Sequence, residues 1–265
     1  MQSDIRPVSA NHMNLIKKNF YLFLLLLLMT FGCRSCDTVE STKIAQSEIY
    51  QDYLVDASHS GTRVTATFRV SGSTGTTIDL DAPSRIEYNG RELGENLRSF
   101  ITGTTYSLAS NVFVGTHQFT YTNGDGKVFL NELSFEPIEL VGAPAVINSK
   151  EKTVIMLSRP VYETESLETS IVSLEKQPET NSNSNPTGNK ASSDGPSYSM
   201  NLHQNYNSDR TAIVIEAGGL KDFVPGKAEI VVKVRANKDL QQKNKAGGSM
   251  SYTCSSKAHP VNIKK

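Results

Sequence analysis

The chain has 265 residues, with 27 basic and 27 acidic side chains, three cysteines and no tryptophan. Without residues 1–32, which hold Arg6, Lys17, Lys18 and Asp4, it carries 24 basic and 26 acidic groups and a net charge of −2, which excludes the basic surplus that nucleic-acid binding needs. The length that remains suits one large domain or two of about 100 residues, and its alternating Thr and Val strings point to an all-β class.

Residues 1–12 match no part of an export signal, whereas Met13 begins a well-formed one and is the expected true start. Lys17 and Lys18 precede an unbroken apolar run over 20–31 that ends in Gly32 and Cys33, which gives a charged n-region, an h-region and a small residue at the cleavage point. Spanning a bilayer takes about 20 apolar residues. The run falls short of that, so a signal peptide over 1–32 is expected rather than a permanent transmembrane helix.

The placement of Cys33 directly after Gly32 resembles the lipobox of bacterial lipoproteins, with Thr30 standing where that family usually carries leucine. The resemblance covers residues 13–33 and implies that Cys33 becomes the acylated first residue, so that the membrane is a partner through an N-terminal lipid. An ordinary signal peptide cut nearby is the alternative. In the family's common Gram-negative sorting rule an aspartate after the cysteine retains the protein in the inner membrane; here that residue is Arg34, which implies an outer-membrane lipoprotein.

Residues 33–47 are polar and without period, as in a tether that lifts a domain off a membrane. If Cys33 carries lipid, Cys36 and Cys254 remain in an oxidising compartment. A Cys36–Cys254 disulfide would need the tether to fold back on the chain's second half; free or intermolecularly paired thiols are the alternatives. The Cys33/Cys36 spacing lacks the second pair or nearby histidine that would complete a metal site.

Strand signals begin next. Residues 62–70 place Val64, Ala66, Phe68 and Val70 on one face and Arg63, Thr65, Thr67 and Arg69 on the other, a period of two with one core face and one wet face. Further strands are expected over 49–55, 76–80, 85–88, 105–109, 117–122 and 127–135, with a hairpin at Asn123, Gly124, Asp125 and Gly126, residues that accept positive φ. That turn lacks the alternate ligands and distal glutamate of a calcium loop. Asp79 and Asp81 alternate with apolar residues and are expected on a solvated strand face.

Pro137, Gly142 and Pro144 mark a crossing near residue 142. The expected division is a β-sandwich over 48–142 and a second over 143–265, with strands over 153–157, 166–174, 197–203, 211–217, 227–234 and 249–255. Phe113 and Phe223 each precede valine and an alternating strand, about 110 residues apart, a weak repeat of the size of one sandwich. The strand, corner, strand, hairpin order over 48–263 resembles immunoglobulin-like sandwiches, without their cysteine pair and core tryptophan. That resemblance implies two tandem immunoglobulin-like domains and no particular function. Residues 175–196 contain one alanine as their single hydrophobic residue and are expected to be a disordered loop; 241–248 are expected to be a smaller mobile loop. From Lys221 onward ten basic residues face three acidic ones, a bias suited to a solvated surface or to anionic lipid or polysaccharide.

Chemistry-bearing motifs are sparse. His59, His117, His203 and His259 have no ligand spacing, and no nucleophile elbow or phosphate loop occurs. No catalytic, cofactor-binding or metal residue is assigned. The leading expectation is a lipid-anchored cell-envelope protein with a non-catalytic binding or structural role, partnered by envelope proteins or glycans and not by nucleic acid. A glycan-binding module, or a carbohydrate-active enzyme with a loop-built site, is the alternative; convergent carboxylates would mark the enzyme and a flat array of exposed aromatics the glycan platform.

Overall fold

A computed structural model describes residues 38–96, 103–175, 199–203 and 205–265. The expected signal peptide over 1–32, Cys33, Cys36 and nearly all of the segment 175–196 expected as a loop lie outside the described residues. The first half comprises β1 (Val39–Glu40), β2 (Ile49–Ser58), β3 (Gly61–Val70), β4 (Ile78–Asp79), β5 (Arg85–Tyr88), β6 (Arg91–Glu92), β7 (Gly94–Glu95), β8 (Tyr106–Ser110), β9 (Gly115–Thr122) and β10 (Val128–Phe135). Sheet order β2-β3-β8-β7 faces β10-β9-β5-β6, the A-B-E-D over G-F-C-C′ order of an immunoglobulin-like sandwich. The alternation expected over 62–70 is realised at Val64, Ala66 and Phe68, which are fully buried, and at Arg63, which points outward, whereas Thr67 is buried and Val70 half-buried. Tyr53 stacks on Phe119 with centroids 4.7 Å apart, and Phe68 lies 4.6 Å from Tyr121.

The second half comprises β11 (Leu140–Val141), β12 (Val146–Asn148), β13 (Thr153–Leu157), β14 (Glu165–Ser173), β15 (Ser199–His203), β16 (Ala212–Ile215), β17 (Gly226–Asn244), β18 (Gly247–Ser255) and β19 (His259–Lys264). Here β11-β13-β16 supply an A-B-E sheet, and β19-β17-β14-β15 supply G-F-C-C′, with β12 parallel to β19. Phe113 and Phe223 both sit just before the F-equivalent strand, β9 and β17 respectively. The expected crossing at residue 142 falls between β11 and β12.

The two strand sets share one ten-stranded sheet among the described residues, because β18 pairs antiparallel with β17 and parallel with β2. The upper part of β17 and all of β18 form an arm that reaches over the first set. Gly248 makes the close approach possible: a Cβ there would lie 2.5 Å from the Gln51 carbonyl oxygen and 2.3 Å from Leu240 Cδ1.

Three expectations are corrected. Residues 38–47 are not free tether. Val39–Glu40 pairs parallel with Ile78–Asp79, Ser41 is fully buried, and Ser41 Oγ and Thr42 Oγ1 donate to Asp81. Asp79 and Asp81 therefore do more than face solvent, since Asp79 also accepts from Thr38 Oγ1 and Thr104 Oγ1. Hydrogen bonds from Ser41 and Thr42 lower the Asp81 carboxyl to about 2. Residues 241–248 are not a loop: Gln241–Asn244 end β17 and Gly247–Gly248 begin β18, with the turn at 245–246. Polar composition conceals this strand because side chains hold it, Gln241 and Gln242 exchanging hydrogen bonds with the backbone and Asn131 of β10.

Candidate binding site on the shared sheet

Cross-strand register places side chains of both halves on one outer face. Because directly paired residues point to the same side of a sheet, one row reads Ser166, Arg235, Thr253, Asp56, Arg63 and Ala109 across β14, β17, β18, β2, β3 and β8. The opposite faces of these strands are core: Val232, Val234, Cys254, Val55 and Val64 are fully buried. Strand alternation thus builds a polar surface over the seam between the two halves.

At one end of this face lies an open groove of about 470 Å³ lined by the β2–β3 hairpin, the end of β8, Lys233 and Ser255. Its charged lining residues are Asp56, Arg63 and Lys233. A second groove of about 380 Å³ lies beside Arg235 and contains Glu163 and the buried Glu165. Neither the Arg63 guanidinium nor the Lys233 ammonium has a hydrogen-bond or ion-pair partner among the described residues.

Beneath the face a buried polar junction fixes the two halves. Arg159, in the β13–β14 connection, forks onto Glu165 at 2.7 and 2.8 Å, with side chains only 8% and 1% exposed. The guanidinium also donates to the Glu136 carbonyl in the crossing between the halves at 2.8 and 3.1 Å, and Tyr252 of the arm donates its hydroxyl to Glu165. Burial pushes the Glu165 pKa up, but hydrogen bonds from Arg159, Tyr252 and the Tyr162 amide outweigh it and hold the carboxyl below its usual range. This keeps the ion pair charged. Phe135 stacks on Tyr252 at 4.8 Å on one side and on His117 at 5.0 Å on the other. Across the seam His59 bonds Glu139 at 2.5 Å, and Glu139 accepts the Lys257 amide.

The residues singled out from sequence are dispersed. Cys254 lies on the inner face of β18, fully buried and unpaired, and burial pushes its thiol up to about 11. His117 is buried against Tyr88, whose hydroxyl meets Nδ1 at 2.7 Å. At the 123–126 turn, Asn123 Oδ1 accepts the amides of Asp125 and Lys127, and Gly126 takes φ 75°, as a hairpin requires. No group of three or more His, Cys, Asp or Glu able to hold a metal occurs among the described residues, and no helix there is long and apolar enough to cross a membrane. Sequence reasoning missed Arg159 and Glu165, whose meeting across a loop leaves no spacing signature. It placed Arg63 on a wet face but had no means to set it on one groove with Lys233.

No family model matches the chain, and no curated protein does. Among solved structures it is similar to murine CEACAM1b (8% identity, 82% of this chain and 100% of that one, TM-score 0.25). It is also similar to the SGBP-B protein of the Bacteroides ovatus mixed-linkage glucan utilization locus, solved with a mixed-linkage heptasaccharide (9%, 88% and 67%, TM-score 0.23). A third similarity is to the Yersinia pseudotuberculosis adhesin InvE (12%, 83% and 60%, TM-score 0.20). At these TM-scores none of them bears on function, and the immunoglobulin-like class rests on strand order.

Proposed function

We propose that the chain is a non-catalytic, lipid-anchored protein of the outer membrane that binds a glycan on the outer face of its shared sheet. The observation that carries this is the continuous polar face, with an open groove at its seam whose arginine and lysine heads are unspent. Polyhydroxylated ligands are recognised by hydroxyl, amide and charged groups of this kind set on rigid strands, and the buried junction and arm hold the two halves as one support. Hydrolysis is less well supported. Glycosidases use a pair of carboxylates flanking the bond, whereas Asp56 is the one carboxylate lining the seam groove, and Glu165 in the second groove is committed to Arg159. Among the described residues Tyr162 is the one exposed aromatic, which does not make a flat array.

Two measurements test the proposal. Radiolabelled palmitate should enter the wild type and not Cys33→Ala, and most of the protein should fractionate with outer-membrane markers; equal labelling, or an inner-membrane location, overturns the anchoring. Native gels cast with envelope polysaccharide fractions should retard the mature protein in at least one fraction. Unchanged mobility in all of them overturns the glycan-binding role.

A further inference from the structure

We infer that the seam groove takes a polysaccharide chain bearing acidic substituents, its carboxylates or sulfates met by Arg63 on one wall and by Lys233 on the other. This rests on the reading of the shared face as a glycan-binding surface and specifies what that surface selects.

Each of the two cations has an opposite charge as its direct cross-strand neighbour. Arg63 pairs in register with Asp56, and Lys233 with Glu168. Direct neighbours in a sheet have Cβ atoms about 5 Å apart, close enough for long side chains to bridge. Neither pair closes, and both cationic residues border the same groove. The contrast lies on the same two strands, where Arg69 reaches diagonally to Asp52 and bonds it at 3.2 Å while Ser249 Oγ donates to the same carboxylate at 2.7 Å. This sheet closes ion pairs at one end and leaves them open at the end where the groove lies.

Asp56 lines the groove as well, and in a sugar site a carboxylate accepts hydroxyl hydrogens while the guanidinium and the ammonium each meet an acidic substituent. The side chains of Asn111 and Ser255 add neutral groups along the wall. No aromatic side chain is among the described residues that line the groove, and charge is the strongest source of affinity that its lining offers. Arg235 sits on the same face of β17 two residues from Lys233, about 7 Å along the strand. A polymer with repeating acidic groups can engage both cations, which an isolated anion cannot.

The test titrates the full mature chain with polygalacturonate, dextran sulfate and neutral dextran by calorimetry, at low and high salt. Binding is expected for at least one anionic polymer, weakened by salt, and not for dextran; which polymer binds identifies carboxylate or sulfate. The double variant Arg63→Gln, Lys233→Gln should lose about tenfold or more in affinity. Lys150→Gln with Lys221→Gln, which removes the same charge outside the groove, should stay within about twofold. Thermal melts of both variants check that the fold is kept. Equal binding of dextran and the acidic polymers, with the groove variant unaffected, overturns the anion assignment and leaves a glycan-binding face. Absence of binding to every polysaccharide, envelope fractions included, overturns both.

Discussion

Each strand set has a hairpin after its F-equivalent strand, and the two hairpins differ in reach. After β9 the chain turns at once through Asn123 to Gly126 and returns as β10, a short hairpin whose outer strand is met by the Gln241 and Gln242 side chains of β17. Strand β17 instead runs from Gly226 to Asn244, well past the point where β19 pairs with it, and its return strand β18 adds itself to β2. The same fold order thus yields a closed turn in one place and a clamp in the other. Edge strands present unpaired backbone groups that proteins must cover; here the second half covers the first half's edge, and that pairing creates the surface on which Lys233 and Arg63 border one groove.

The sharpest way to break this comparison is to remove the clamp. Residues 38–142 expressed alone would expose the β2 edge and the Tyr252-facing side of Phe135, and are expected to melt more than about 10 °C below the whole chain. Equal melting temperatures would show that the arm rests on the first half without supporting it. Next in size is the junction: Glu165→Ala leaves the Arg159 guanidinium buried without its partner and should cost roughly 3–5 kcal/mol in urea unfolding. A change under about 1 kcal/mol would mean that water reaches and screens the pair.

Gly248→Ala drives a Cβ toward the Gln51 carbonyl, so β18 must shift from β2; the expected loss is about 1–3 kcal/mol. Amide exchange should rise in β2 and β18 while the β9–β10 hairpin stays protected. Uniform exchange would argue against a separable clamp. The effect that is smallest at neutral pH concerns acid. Burial lowers the His117 pKa from its ordinary 6.5 to about 4, so the unfolded chain takes up a proton before the folded one does. Stability from this group is complete above pH 6.5 and declines as pH falls through 6.5 toward 4, by at most about 1.4 kcal/mol per pH unit. His117→Gln should flatten that part of the pH profile of the melting temperature, and an unchanged profile would assign the acid sensitivity to other groups.

Much of the strand content was legible from alternation and turn residues. Arg85–Tyr88 and Thr153–Leu157 fall where the pattern places them, and the 123–126 hairpin forms because Asn123 and Gly126 carry the turn's requirements locally. The failures share a cause. Residues 241–244 and 38–47 look like loop and tether because few of their side chains are apolar, yet hydrogen bonds to residues far along the chain order them: Gln242 to Asn131, Ser41 to Asp81. Pattern reasoning detects burial of apolar faces and is blind to polar segments held by distant partners.

The sequence by itself determined the all-β class and the alternation that buries Val64 and Phe68 and exposes Arg63. It could do so because period and turn chemistry act over a few neighbouring residues. The tertiary structure alone decided that β18 joins β2, that Arg159 meets Glu165 and Tyr252 in the buried junction, and that Arg63 and Lys233 border one groove. Those pairings join residues up to about 200 positions apart, and only closure of the shared sheet brings them within reach of each other.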